Sequence, residues 1–445
     1  MGRDKMVEIT RCKFFPCLVG IVFLLVSWTA LSRFGVMHRS NNIEVSDIVV
    51  ELSFNINSLF GKKGVSTVRF MYDVDGDGEK ELICNVGAQS HFVAIENDMT
   101  IAWENILNTV QHKSAYYPKI HDGILYYGDR SNDTIYAIDL SNGTLKWSVV
   151  RNGLVALNIS NQGVVYGASD GIGILDYNTG KELSGWPFPF APHEQILVTG
   201  DLDEDGEDEI FSNDNSGNIK AIDNNGTEMF TIQSFHTHVD MMFIGDIDPH
   251  HLGNEFVTVV DDDNSALSEG DEIVIYDVNG NQMRKYTASS GFVNLRVGDI
   301  LLEKPGLEIA FVQEDHGILG LLDCHLNEIW KLTGIGGRGS TSQIQLADVN
   351  GDGKLEILTN KGESIAAGFM VFNSQGELLY TKKGLGWDFD PRLDVKTGEP
   401  FSSEDIDKDG KDEIMPGLLG SNNFTDNEII RILGEEIKIN RVGGL

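Results

Sequence analysis

The chain has 445 residues, 41% hydrophobic and 23% charged, a globular balance without low-complexity tracts. Asp and Glu number 68 against 34 Lys and Arg, a formal net charge of -34 that excludes a nucleic-acid binder, since phosphate recognition needs clustered cations. Such an excess of carboxylates suits a solvated acidic surface, divalent-cation binding, or both.

Residues 1–13 form a basic segment with Arg3, Lys5, Arg11 and Lys13. The next 18 residues, FFPCLVGIVFLLVSWTAL at 14–31, carry no charge. As a helix they would reach roughly 27 Å, close to the thickness of a bilayer core. Basic residues ahead of the apolar run keep that end in the cytoplasm and place the bulk of the chain outside it. The segment reads as a transmembrane signal-anchor or as a signal peptide, and Ala30-Leu31-Ser32 offers a cleavage site. Residues 32–60 read as a linker or leading strand, and 61–445 as one repeat domain. Cys12 and Cys17 belong to the N-terminal region. Cys84 and Cys324 lie in apolar strand-like runs and read as two buried thiols.

Self-similarity organises the rest. The strings DVDGDGEKELI at 73, DLDEDGEDEIF at 201, DVNGDGKLEIL at 348 and DIDKDGKDEIM at 405 share one pattern, with weaker copies DIDPHHLGNEFV at 246 and DILLEKPGLEIA at 299. Two further units, 123–149 and 163–186, align with each other at an offset of 40. The total is eight. Each unit reads as four short strands. In the unit at 201 these are QILVTG, EIFSND, NIKAID and TEMFTI, with turns such as DNNG, DVNG and NSQG joining third to fourth strands. No 3.6-residue period appears beyond the apolar N-terminal run. Four-strand repeats of this length predict an all-β fold, an eight-bladed β-propeller of four-stranded blades preceded by one N-terminal transmembrane helix. Trp103, Trp147 and Trp330 fall in the last strand of their units, with Phe230, Tyr286 and Tyr380 in the same slot elsewhere, which predicts packing between blades.

Alternating carboxylates at positions 1, 3 and 5 followed by Gly suit a hard cation with several oxygen ligands, hence Ca2+. Zinc would want Cys or His. The helix-flanked calcium loop needs an acid at position 12. Here that position holds Cys84, Ser212, Thr359 and Pro416, and the acid stands at position 9. Together these residues resemble the FG-GAP repeats of integrin α-subunit propellers, whose loops run D-x-D-x-D-G-x-x-D/E between strands. That resemblance implies side-chain ligands from positions 1, 3, 5 and 9 and a backbone carbonyl at 7. The sites would be Asp73, Asp75, Asp77, Glu79 and Glu81; Asp201, Asp203, Asp205, Glu207 and Glu209; Asp348, Asn350, Asp352, Lys354 and Glu356; and Asp405, Asp407, Asp409, Lys411 and Glu413. The copy at 246 keeps Asp246 and Asp248 and shifts its acid to Glu255, which leaves its occupancy open. The copy at 299 has Leu301 in place of the second acid and is expected to be empty. The two remaining units are similar to quinoprotein-type repeats, but no Cys-Cys pair is present and quinone binding is not expected.

No catalytic residue is assigned. The expected function is an extracytoplasmic calcium-stabilised propeller that binds a protein or glycan, membrane-anchored and with no nucleic-acid partner. The alternative is a polysaccharide-degrading enzyme similar to rhamnogalacturonan lyases, for which His236, His238, His250 and His251 are the candidate groups. The irregular stretch 386–405 displays Trp387, Phe389 and Arg392 outside any repeat slot, a candidate partner- or sugar-binding patch.

Overall fold

The computed structural model describes residues 48–55, 66–78, 80–86, 91–96, 100–106, 115–192, 197–214, 218–233, 238–261, 272–288, 293–313, 317–335, 344–360, 369–382, 403–404, 412–414 and 429–435. All lie in the second of two compact units, Val45–Leu445. The apolar segment 14–31, His236 and the patch at 387–392 lie outside the described residues.

Among the described residues there are strands and no α-helix, and the strands form eight antiparallel sheets, seven of four strands and one of three. Sheets I to VII follow one another along the chain, at 66–106, 115–150, 156–175, 197–232, 238–287, 293–332 and 344–382. In each, neighbours in sequence are neighbours in the sheet. Sheet VIII combines strands from 403–435 with Ile48–Asn55, which pairs antiparallel with Ile429–Glu435. The leading strand of the 32–60 segment is thereby the outermost strand of the last sheet.

Burial within the sheets follows strand position. Second and third strands such as Val164–Ala168, Glu308–Gln313 and Ile318–Leu322 are buried along their whole length, so both of their faces are covered. Fourth strands are mostly exposed: Ile101–Ile106 buries Trp103 alone, and Leu145–Val150 buries Trp147 alone. The core is accordingly not one mass but a series of slabs, each shared by two consecutive sheets. Phe92 and Trp103 of sheet I meet Leu125 and Tyr127 of sheet II, whereas the adjacent Tyr126 turns the other way onto Leu157 and Tyr166 of sheet III. Alternation along a strand sends neighbouring side chains to opposite faces, and each face finds a different sheet. First strands of sheets II to VIII touch one another in series, which makes them the inner strands.

The aromatic slot of the fourth strand is used as predicted. Trp103, Trp147 and Trp330 each donate the indole N–H to a carbonyl in the next sheet, at Leu140 (2.5 Å), Tyr177 (2.9 Å) and Ser374 (2.9 Å). Their rings lie on the turn glycines Gly143, Gly180 and Gly376, and Phe230 lies likewise on Gly280. In the hairpins of sheets I, II, IV, V, VI and VII the register shifts by one residue just before the turn into the fourth strand. Most of those turns then close on a glycine of positive φ, the geometry of a turn ending in a G1 bulge.

Sheet III departs from the four-stranded expectation. Where its fourth strand would run, 182–188 makes isolated bridges, Leu175 to Glu182 and Ile172 to Phe188. Pro187 and Pro189 lack the N–H that a continuous ladder requires. Cys84 and Cys324 are buried free thiols, as expected.

Candidate metal centre

Each acidic loop joins the first strand of a sheet to the second. In sheet IV, Leu202 at position 2 is fully buried and anchors the loop, and Gly206 takes φ +91, which an L side chain rarely adopts. Around that anchor the aspartates fold the backbone onto themselves. Gly206 N–H donates to Asp201 Oδ2 (3.1 Å), Asp205 N–H to Asp203 Oδ1 (3.2 Å) and Glu207 N–H to Asp205 Oδ1 (2.9 Å). Glu209, buried at the start of the second strand, accepts from Leu202 N–H on Oε2 at 2.7 Å. Two oxygens are left over: Asp201 Oδ1 and Glu209 Oε1 are buried without a hydrogen-bond partner. Carboxylate atoms of Asp201, Asp203 and Glu209 lie within 4.8 Å of one another. A buried acceptor without a donor is costly, and a dication at this point would satisfy both oxygens.

The loop at 73 repeats the arrangement. Asp73 accepts from Gly76 N–H (2.6 Å) and Gly78 N–H (2.9 Å), Asp75 from Asp77 N–H (3.1 Å), and Glu81 from Val74 N–H (2.6 Å). Asp73, Asp75 and Glu81 converge within 4.8 Å. At position 7, Glu79 lies outside the described residues.

The loop at 348 shares the fold, with Asn350 in place of the second acid. Asp348 accepts from Gly351, Asp352 and Gly353 N–H, and Asp352 from Lys354 N–H. The amide of Asn350 donates to Glu356 Oε1 at 2.9 Å, so the oxygen left over in the loop at 201 has a partner here. Of the fourth predicted site, Asp405, Asp407, Asp409 and Lys411 lie outside the described residues, and so does the Glu413 side chain.

Burial and crowding hold the position 9 acids high. Burial first, then the neighbouring carboxylates, raises Glu81 and Glu209 to about 7 and Glu356 to about 8. Asp203 is raised for the same two reasons. These are the electrostatics of a site that gains from a positive charge.

Three features escaped the reading of the sequence. First, Glu255 and Glu308 occupy the same buried place in the degenerate loops. Glu255 Oε2 accepts from Ile247 and Asp248 N–H, and Glu308 Oε2 from Ile300 and Leu301 N–H. The acid that opens the second strand, at position 9 in the full copies and 10 in these two, therefore holds its loop whether or not the aspartate ladder is present, and its persistence in the weaker copies was the available signal. Second, His251 Nδ1 lies 2.8 Å from Glu255 Oε1, so both oxygens of that acid are engaged within the loop. Third, the loops are tied to one another. Asn254 Nδ2 donates to the Asp201 carbonyl, Leu307 N–H to that of Ile247, and Asp412 N–H to that of Asp348; Asn161 binds Asp208 and the Gly206 carbonyl across sheets III and IV. Of the histidine candidates, His238 opens the first strand of sheet V with its side chain outside the description, and His250 sits 3.3 Å from Asp248.

No protein-family profile matches the sequence, and no curated protein aligns with it. Solved structures do match in shape. The Vibrio cholerae biofilm matrix protein Bap1 superposes with a TM-score of 0.56 at 11% identity, covering 89% of this chain and 91% of its own. BamB from Moraxella catarrhalis gives 0.55 at 12%, over 87% of this chain and 100% of its own. The quinohemoprotein alcohol dehydrogenase from Comamonas testosteroni gives 0.53 at 12%, over 90% and 79%. The fold is a β-propeller. At these identities the likeness extends to the fold alone. Within the propeller, the inner strands found above are the first strands of the blades, and the acidic loops join each inner strand to the next one out.

Proposed function

We propose that this chain is an extracytoplasmic, calcium-stabilised propeller of eight blades whose surface binds a protein or a glycan. The observation that carries the calcium reading is the pair of buried, unpartnered oxygens at Asp201 and Glu209, set beside Asp203 in a loop that its own aspartates fold through backbone hydrogen bonds. The eight sheets and the pairing of Ile48–Asn55 with the last of them support a closed ring. The likeness to a biofilm matrix protein and to BamB fits a binding module. The uncharged run at 14–31, preceded by basic residues, supports export or anchoring. Ca2+ would neutralise each acidic loop and fix the turn between the first two strands of its blade, the role that FG-GAP-like repeats imply.

Elemental analysis of the purified chain, with melting curves before and after chelation, tests the calcium reading. An ion that binds only the folded form adds about 2.7 kcal/mol per site at a hundredfold excess over its dissociation constant. Chelation is expected to lower the melting temperature, and readded Ca2+ to restore it. A metal-free protein with an unchanged melt overturns the reading. Glycan and protein arrays test the binding role: capture without product supports it, and release of unsaturated sugars absorbing in the ultraviolet favours a lyase instead.

A further inference from the structure

Two departures from the repeat face each other across one junction. In sheet V the acidic loop carries Pro249-His250-His251 where the four full copies carry the aspartate ladder. In sheet VI the turn into the fourth strand reads Asp323-Cys324-His325-Leu326, where equivalent turns read DNNG, DVNG and NSQG. Leu326 keeps the φ of the missing glycine, +62, a conformation that L residues rarely adopt. The junction is closely packed. At Gly306, φ +90, an added Cβ would lie 2.8 Å from both Cys324 Sγ and the Ile247 carbonyl.

The departures bring three unlike ligand types together. His325 Nε2 lies 3.2 Å from Asp248 Oδ2, and Cys324 Sγ lies 3.4 Å from His325 Nδ1. One ligand atom from each of Asp248, Cys324 and His325 falls within 4.8 Å of the other two. His250 Nδ1 stands 3.3 Å from the other oxygen of Asp248 and is largely exposed. Asp248 and Cys324 are buried, while the His325 ring is 39% exposed and leaves a path from solvent. The carboxylate and the thiol meet opposite nitrogens of the ring, of which one would ligate; tetrahedral zinc with bonds of 2.0–2.3 Å sets its ligand atoms roughly 3.3–3.8 Å apart, inside the 4.8 Å over which the three groups converge.

We propose that Asp248, Cys324 and His325 bind a divalent transition ion of the zinc class, with His250 at the open side, and that this ion clamps blade five to blade six. The ion replaces the Cys324 thiol proton, which leaves to solvent. Sulfur and imidazole select it over calcium. A sulfur beside an imidazole beside a carboxylate could also describe a nucleophile relay. The surroundings decide against that: Cys324 is only 5% exposed and lies among the carboxylates of Asp248, Asp323 and Glu308, whereas reactive thiolates sit in accessible, electropositive places. The same carboxylates favour a dication.

Co2+ added to the reduced, calcium-replete full chain is the probe. The expected result is one equivalent bound with a thiolate-to-cobalt charge-transfer band in the near ultraviolet, indifferent to excess Ca2+ and displaced by Zn2+. Cys324→Ser should abolish the band, Cys84→Ser should leave it, and Asp248→Asn and His325→Gln should each weaken binding at least about tenfold. Should Cys324→Ser fail to fold, His325→Gln decides, because its partly exposed ring contributes little to the core. No band in the wild-type chain, a band that persists in folded Cys324→Ser, or undiminished affinity in His325→Gln overturns the proposal, and so does rapid alkylation of Cys324 at neutral pH.

Discussion

Glu209 serves two purposes with two oxygens. Oε2 holds the loop through the Leu202 amide, and Oε1 is buried facing no donor. Substitutions should separate the two. Glu209→Gln keeps an acceptor for Leu202 and removes the charge, so the stabilisation gained from added Ca2+ should shrink by about one site's worth, ~2.7 kcal/mol at a hundredfold excess. Glu209→Ala should cost a further 1–3 kcal/mol or so even in chelator, because the buried amide loses its partner. Glu308→Ala makes the complementary case: it accepts from two amides in a loop with Leu301 in place of the second acid. Its cost should be about 1–3 kcal/mol and independent of Ca2+. Urea unfolding with and without calcium measures all three. At this scale the sequence exposed the acid and its spacing, but not its buried hydrogen bonds, since nothing in the pattern separates a ligand from a loop staple.

The turn and the aromatic it supports form the recurring element. Gly143 sits at φ +69, and a Cβ there would lie 2.6 Å from Trp103 Cε3; Gly76 has φ +80 but open space around it. Gly143→Ala should therefore destabilise by about 1–3 kcal/mol and Gly76→Ala by less, the difference reporting the contact between blades rather than backbone strain. Calorimetric melting of the two variants under one calcium concentration would show it. Acid also acts on these turns. Hydrogen bonds from Ser141 hold Asp139, and from Thr179 hold Asp176, below the usual 3.8 of an aspartate. A depressed carboxylate adds stability above its unfolded value, and that stability is lost as pH falls through the folded value. Asp139→Asn and Asp176→Asn should thus be weaker than wild type at pH 7 by about 0.5–1.5 kcal/mol each. The gap should close below pH 3.8, as acid titration of the unfolding free energy can show. Strand order, turns and aromatic slots were legible because each is local. The loss of the fourth strand in sheet III was not, although Pro187 and Pro189 were there to be read.

Closure belongs to the whole molecule. Ile48–Asn55 completes the last sheet, so the first described strand and the last are hydrogen-bonded partners. A chain starting at Val45 should fold and melt like the full-length protein, because the break falls between the two compact units. A chain starting at Asn57 loses that strand, leaves Ile429–Glu435 as an open edge, and should melt lower and associate. Equal melting temperatures and a monomeric second variant, by calorimetry and light scattering, would refute the closing role.

The repeat length, the turn chemistry and the spacing of acids were enough to specify strands, their number in every unit but sheet III, and the propeller class, because those properties depend on neighbours within about ten residues. Only the tertiary structure decided which sheet the strand at 48–55 joins, which of the acids opening second strands are loop staples, and that Asp248 meets Cys324 and His325 from 76 residues away. Contacts across a junction between blades have no fixed separation in sequence, so no periodicity can announce them.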